Sequence, residues 1–250
     1  MEHTIILASE KIAQLGPIPL TNTLMVSLMV TFLLTIVSIL ATLKVKLVPS
    51  GLQNFLEVII EVGYTQVEEL AHLKAKVFFP WVMTFFLFII TANWLGLFPG
   101  FGTVGFWEHQ DGKEVFVPLL RSINSDLNMT LSLALVSAIT THILAIKFLG
   151  LMGYLKRWFS LQMFPVFLFV GFLEVISEFT KVVSLSFRLF GNIFAGEVVL
   201  VTVATISKWT AFFVPLPFLF LEIIVGFVQA AVFMMLTLVF MVLLTEKGGH

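Results

Sequence analysis

Long apolar segments with few or no charges recur throughout this 250-residue chain, and they constrain its fold more than any other feature. A helix of about 20 apolar residues crosses the hydrocarbon core of a bilayer, which is about 30 Å thick. Hydrophobic residues make up 59% of the chain and charged residues only 12%, whereas soluble domains carry about 25% charged residues. The composition excludes a water-soluble fold and predicts an all-α polytopic membrane protein.

The first half of the chain contains segments with the length of a single span and segments too polar to cross a membrane. Residues 50–72 place apolar side chains at helical spacing among four glutamates, which predicts an amphipathic helix on the cytoplasmic surface of the membrane. We expect residues 1–21 and 99–126 to be extracytoplasmic, the second as an exposed loop without a regular period. The predicted transmembrane segments are residues 22–43, 77–98 and 127–146.

The last two apolar segments, residues 161–207 and 210–245, are longer than a bilayer requires. As one helix, the first would extend about 69 Å. It therefore either breaks into two spans or forms one steeply tilted helix whose extra length packs against another protein in the membrane. We expect the two segments to form a long, tilted hairpin, which brings the total to about five transmembrane crossings.

The distribution of basic residues predicts an orientation, because cytoplasmic loops carry an excess of Lys and Arg. The side that contains residues 44–76, 147–160 and the C-terminus collects eight such residues, and the opposite side collects four. This places the N-terminus outside and the C-terminus in the cytoplasm. The eight are Lys44, Lys46, Lys74, Lys76, Lys147, Lys156, Arg157 and Lys247; the four are Lys11, Lys113, Arg121 and Lys208.

Ionisable residues within the apolar segments are costly, at about 2.5 kcal/mol or more each, so they mark ion paths, protein contacts or mutual pairs. Glu178 and Lys181 are spaced to neutralise each other. Arg188 has no carboxylate within one helical turn and keeps its charge, so its partner is a carboxylate elsewhere in the chain or on another subunit. We expect the polar stripe around it to face another protein. At 100° per residue, the stripe contains Glu174, Glu178, Lys181, Ser184, Arg188 and Asn192.

A second polar surface lies on the other side of the same helix and on the last helix. Glu197 points away from the stripe, and Glu222 and Gln229 are seven residues apart on one face of the last helix. Together with Asn192, these carboxylates and amides suit a hydrated ion path. The alternative is a set of hydrogen bonds that hold the hairpin together. We favour the path, because two acids on facing helices repel each other when both are ionised.

Several kinds of site are absent from the sequence. The net charge of −1 gives no electrostatic basis for binding nucleic acid, and without cysteine the chain cannot form disulfides, iron–sulfur sites or thiolate zinc sites. It contains no nucleotide-binding motif and no nucleophile motif. His142 has no other ligand at metal-binding spacing, so we expect it to be a packing residue. We expect no catalytic site, metal or cofactor.

Five segments resemble subunit a of F-type ATP synthases, in the order of that family. The most specific is SLSFRLFGNIFAGE at residues 184–197, and it contains Arg188. The resemblance covers most of the chain apart from the first twenty residues and the 101–121 loop. The other segments are NWLGLFPG at 93–100, SDLNMTLSLAL at 125–135, LEVISEFTKVVSL at 173–185 and VQAAVFMMLTLVF at 228–240.

The resemblance implies a non-catalytic stator subunit in a bacterial plasma membrane, which couples H⁺ or Na⁺ flow to rotation of a c-subunit ring. Its expected partners are that ring, the b-subunit peripheral stalk and membrane lipid. By position, Arg188 resembles the stator arginine, and Asn192 and Gln229 resemble its polar neighbours. Glu197 resembles the acid of an outer half-channel, which Glu222 shares, and Glu174 and Ser184 resemble polar positions of the inner route.

Two other classes of membrane protein remain as alternatives. One is a secondary ion-coupled transporter, although such proteins often contain internal repeats with paired Gly or Pro breaks, and the sequence has no convincing repeat. The other is a membrane insertase with an arginine in a hydrophilic groove. An insertase would be expected to have a larger basic cytoplasmic hairpin and to work without a rotor.

Overall fold

The computed structural model describes residues 11–15, 18–43, 45–49, 51–98, 101, 104–110, 113–158, 166–206 and 213–246. In these residues, six α-helices dominate the fold, and two short antiparallel hairpins precede the first and fourth helices. The helices are α1 (Asn22–Thr42), α2 (Leu52–Ala71), α3 (Ala75–Gly96), α4 (Leu127–Trp158), α5 (Val166–Ile206) and α6 (Pro215–Thr245). The strands are β1 (Lys11–Leu15), β2 (Ile18–Thr21), β3 (Gly105–Gln110) and β4 (Lys113–Pro118).

Five stretches of helix in the described residues are long and apolar enough to cross a membrane: Asn22–Thr42, Leu52–Gly96, Leu127–Leu155, Gly171–Ala204 and Pro215–Thr245. Many of their large apolar side chains are exposed on the isolated chain, for example Phe32, Ile139 and Phe179. An apolar surface of this extent is stable in lipid and not in water. The prediction of an all-α polytopic membrane protein is confirmed.

Helices α3 and α6 form the centre of the bundle, and α2, α4 and α5 pack around them. One buried cluster joins α2, α3, α4 and α6 and includes Phe78, Val82 and Leu238. A second cluster joins α3, α4, α5 and α6 and includes Phe85 and Leu189. Helix α5 packs mainly on α4 and α6, and only 11% of the residues in an apolar 18-residue stretch of it are buried. One long face of α5 therefore remains uncovered.

The long segment that contains Arg188 forms a single helix, so the alternative of two separate spans was wrong. Helix α5 has 41 residues, which corresponds to a length of about 62 Å. Helix α6 begins with Pro215 and Pro217 in its first turn, where the missing backbone N–H groups cost nothing. Parts of several predicted segments lie outside the described residues. They include residues 1–10 of the N-terminal segment, residues 161–165 and 207 of the segment at 161–207, and residues 210–212 of the segment at 210–245.

Two regions differ from the sequence-based expectation. Helical structure continues past residue 146 to Trp158, but it is interrupted at Gly150, whose φ of 71° and ψ of 160° are not helical and place a kink between two helical segments of α4. The predicted irregular 99–126 loop contains the β3–β4 hairpin, and residues 121–126 are buried instead of exposed. Their polar groups are satisfied within the bundle: the Thr23 hydroxyl donates to Asp126 Oδ2 over 3.0 Å, which makes burial tolerable.

The turn between α2 and α3 is attached to the end of α6. A short 3₁₀ helix, His72–Lys74, connects α2 to α3, so the amphipathic segment and the following span are almost continuous. Lys74 Nζ donates to the carbonyl oxygen of Thr245 over 2.8 Å and lies 5.4 Å from the centre of the Phe148 ring. An ammonium suits this position, because the last carbonyls of a helix carry partial negative charge.

We predict that Lys74→Met lowers the free energy of unfolding by about 1.5 kcal/mol, because it removes a hydrogen bond from a charged donor while preserving most of the side-chain volume. Unfolding in mixed detergent micelles measures this difference. Lys76→Met is the matched control, since Lys76 is exposed two residues away. Equal stability of the two variants would contradict a role for the contact with α6.

Candidate functional site

The polar stripe of α5 lines an open groove between α5 and α6. The groove has a volume of about 380 Å³. Arg188 is exposed in it, and among the described residues no carboxylate lies within ion-pairing distance of the guanidinium. Its other lining residues include Ser177, Thr180, Lys181 and Ser184 from α5, and Leu236 and Phe240 from α6.

The remaining stripe residues differ in how the chain satisfies them. Lys181 Nζ lies 2.6 Å from Glu178 Oε1, which confirms the predicted pair, and 5.1 Å from the centre of the Phe240 ring. Glu174 is half-buried and has an interaction within the chain. Asn192, one turn beyond Arg188, is exposed. The structure thus neutralises the cation at 181 and leaves the cation at 188 open to a partner.

The second polar surface lies where Glu222 of α6 meets Gly196 of α5. Glu222 of α6 is buried, with 5% of its surface exposed, and its carboxylate rests directly against the backbone of Gly196 on α5. A Cβ atom at position 196 would overlap both carboxylate oxygens. The adjacent residue, Glu197, is half-buried, and its Oε2 atom is enclosed without a hydrogen-bond partner among the described residues. The fold therefore brings Glu222 to the segment of α5 that carries Glu197.

The two amides of the predicted ion path are not joined directly to these acids. Gln229 is half-buried on α6, and in the described part of the chain neither Gln229 nor Asn192 donates a hydrogen bond to Glu197 or Glu222. Arg188 and Glu197 are nine residues apart, which places them on opposite faces of α5 and about 13.5 Å apart along its axis. Two polar surfaces are thus separated by the body of one helix.

Sequence reasoning missed a network of buried asparagines next to the acids. Asn93 Nδ2 of α3 donates to the carbonyl oxygen of Gly226 over 2.9 Å, and Asn124 Nδ2 donates to Asn93 Oδ1 over 2.6 Å. Trp94 Nε1 donates to the carbonyl oxygen of Ile223 over 3.2 Å. These bonds hold α6 one turn from Glu222. The sequence drew attention to Asn93 only as the first residue of the family-like segment NWLGLFPG. No local pattern indicated that its partner is Gly226.

The arrangement is suited to moving an ion, not to covalent catalysis. An apolar helix bundle here contains an exposed guanidinium, two carboxylates that are at least partly buried, and a groove large enough for water. These are features of ion pathways in membrane proteins. Within the described ranges, no group of three His, Asp or Glu side chains could hold a metal ion.

We predict that Gly196→Ala destabilises the protein by about 1 kcal/mol, because the added methyl group forces the flexible Glu222 side chain into a less favourable rotamer. Gly191→Ala on the same helix is the control, since a Cβ there meets nothing within 4 Å and alanine favours the helix. Detergent unfolding curves of both variants give the comparison. A Gly196→Ala variant as stable as Gly191→Ala would contradict the close packing of α5 on α6.

Comparison with known proteins places the chain in a family. The family model described as ATP synthase A chain matches residues 23–242. ATP synthase subunit a of Geotalea uraniireducens is 37% identical over 219 residues, covering 86% of this chain and 84% of the relative. The same subunit of Geotalea daltonii is 38% identical, with coverage of 86% and 84%, and that of Moorella thermoacetica is 35% identical, with coverage of 92% and 93%. The chain belongs to the ATP synthase subunit a family, and is a non-catalytic membrane subunit of the ATP synthase.

Proposed function

We propose that the chain is the ion-translocating stator subunit of a rotary ATP synthase and that Arg188 contacts the ion-binding carboxylate of a c-subunit ring. The observation that carries this proposal is the exposed Arg188 guanidinium, which has no carboxylate partner in the described part of the chain. A guanidinium does not deprotonate in proteins, and a charge at membrane depth requires a partner. A rotor carboxylate that passes along the uncovered face of α5 supplies one.

The positive charge of Arg188 has two consequences for ion flow. It favours the ionised form of a rotor carboxylate beside it, because opposite charges within about 4–6 Å stabilise each other. The carboxylate therefore releases its ion before it passes the arginine. The same charge repels a cation that would cross directly from one side of α5 to the other. Arg188 thus promotes release and prevents a leak.

Two aqueous half-channels lie on either side of Arg188 in this proposal. The outer one uses Glu197, Glu222, Gln229 and Asn192, supported by the enclosed pair of carboxylates between α5 and α6. The inner one uses Glu174 and Ser184, supported by the open groove along the stripe. An ion enters through the outer route, neutralises a rotor carboxylate, travels with the ring through lipid and leaves through the inner route.

The location and the other partners follow from family membership and the distribution of charge. The related proteins are bacterial ATP synthase subunits, which supports a multi-pass protein of the bacterial plasma membrane. The excess of Lys and Arg in the 44–76 and 147–160 segments supports an external N-terminus and a cytoplasmic C-terminus. The c-subunit ring, the b-subunit peripheral stalk and membrane lipid are its partners, and H⁺ or Na⁺ is the transported ion.

We predict that Arg188→Ala reduces ATP-driven ion pumping to background in inverted membrane vesicles that contain the whole complex. Arg188→Lys is expected to retain only weak pumping, because an ammonium is a single point charge that deprotonates more readily when buried. Lys76→Ala, which removes an exposed cation elsewhere, serves as the control. Pumping with and without Na⁺ identifies the ion, and normal pumping by Arg188→Ala would refute the proposal.

We also predict that Glu197→Gln and Glu222→Gln each slow pumping by about tenfold or more, and that the double variant is no slower than the worse single variant. Two groups that serve one proton-transfer route act as a unit, so their losses are not additive. The measurement is a double-mutant cycle, built from the initial pumping rates of the wild type, the two single variants and the double variant. Glu61→Gln, an exposed acid on α2, is the control. Fully additive losses would mean that the two acids act independently.

A further inference from the structure

A cluster of protonatable side chains lies behind the Arg188 groove, and the half-channels described above do not use all of it. His142 of α4 is at its centre. The Tyr154 hydroxyl lies 3.0 Å from His142 Nδ1, and Glu178 Oε2 lies 3.9 Å from His142 Nε2. Glu178 is in turn 2.6 Å from Lys181. Both ring nitrogens of His142 therefore face a polar group, on opposite edges of the ring.

The bend in α4 creates half of this cluster. His142 and Tyr154 are twelve residues apart, a separation of about 18 Å along a straight helix. Gly150, with its φ of 71°, turns the last part of α4 back so that the tyrosine reaches the imidazole. The rings meet edge to face, with their centres 6.0 Å apart. A residue with a Cβ would adopt this backbone conformation at a cost.

A small cavity occupies the space between His142 and Glu178. Its volume is about 20 Å³, enough to hold one water molecule, which needs about 10–15 Å³ and two to four polar partners. The 3.9 Å separation of Nε2 from the carboxylate is too long for a direct hydrogen bond and suits a bridging water. The polar residues that line the cavity are Ser137, Thr141, His142, Glu178 and Lys181.

Lys181 borders both this cavity and the Arg188 groove. It lines both spaces, together with Leu185 and Phe240, and it is held by the Glu178 carboxylate on one side and the Phe240 ring on the other. The polar cluster and the groove therefore lie on two sides of the same three residues.

We propose that His142 relays protons between the cytoplasmic side and the Arg188 groove, through Tyr154 on one edge of its ring and a water held against Glu178 on the other. The proposal rests on the proposed function and adds a proton-carrying residue to its inner route. Because imidazole can accept a proton on one nitrogen and release one from the other, the ring returns to its original charge after each transfer. Histidine is the side chain that does this most readily near neutral pH.

In the part of the chain that the structure describes, the titratable groups seen around His142 come from two helices. Helix α5 contributes Glu178 and Lys181, with Glu174 one turn before Glu178 on the same face. Helix α4 contributes Tyr154. Helix α6 contributes Phe240, which is not titratable, to the lining of the cavity. Among the described residues, the opposite charges of Glu178 and Lys181 are paired with each other beside the imidazole.

The test is the pH dependence of ATP-driven pumping by His142→Gln in inverted vesicles of the whole complex, where the medium corresponds to the cytoplasmic side. Glutamine keeps hydrogen-bonding groups toward Tyr154 and Glu178 but carries no exchangeable charge. We expect pumping within about twofold of the wild type near pH 6.5, where protons are abundant, and at least about fivefold slower pumping near pH 8.5, where collecting them limits the rate. Tyr154→Phe is expected to shift the profile in the same direction by a smaller amount.

His72→Gln is the matched control, because it makes the same substitution at an exposed histidine between α2 and α3. Equal slowing of His142→Gln at every pH, with the complex intact on native gels, would mean that His142 only packs and would overturn the relay. An unchanged profile would overturn it as well. Arg188→Ala is measured in parallel: loss of pumping there without a pH-selective effect of His142→Gln refutes the relay alone, whereas normal pumping by Arg188→Ala refutes the proposed function.

Discussion

The uncovered face of α5 is the constraint on which the rest of the structure depends. A helix of 41 residues packs mainly on α4 and α6, and a charged guanidinium lies on a part of its surface that stays exposed. Such a surface is unfavourable in lipid unless another protein supplies a carboxylate. The remaining helices therefore have to hold α5 rigidly from one side while leaving the other side available to a partner.

Hydrogen bonds between small hydroxyl side chains position α4 against α5 and α6 without adding charge to the bundle. The hydroxyls of Thr130 on α4 and Ser186 on α5 are 3.1 Å apart, and those of Ser137 on α4 and Thr237 on α6 are 2.9 Å apart. All four residues are buried. Each hydrogen bond between transmembrane helices contributes about 0.6 kcal/mol on average, so these pairs fix the position of the helices more than they stabilise them. The apolar clusters around Phe78 and Phe85 supply most of the packing.

The contact at Gly196 shows how the packing of α5 on α6 positions an acidic side chain of the candidate site. Because residue 196 has no side chain, α6 approaches closely enough for the Glu222 carboxylate to lie beside Glu197. The asparagines that bind the backbone of α6 at Gly226 hold the same segment from the side of α3. Glu222 is buried, and one carboxylate oxygen of Glu197 is enclosed without a hydrogen-bond partner among the described residues, so this packing encloses both acids at least in part. The opposite face of α5, with Arg188, is kept apart from them by the helix itself.

Periodicity alone determined which residues share a face, because 100° per residue is a local property of any helix. It placed Arg188 in a stripe with Ser184, put Glu197 on the other side, and paired Glu178 with Lys181. The sequence also determined the membrane class, since apolar runs of this length have no alternative in water. Tertiary structure alone decided what each face meets. It brought the Glu222 carboxylate against Gly196, formed the hydrogen bond from Asn93 to Gly226, and placed Tyr154 beside His142 through the bend at Gly150. These contacts join residues on different helices or across a bend, so no local spacing encodes them.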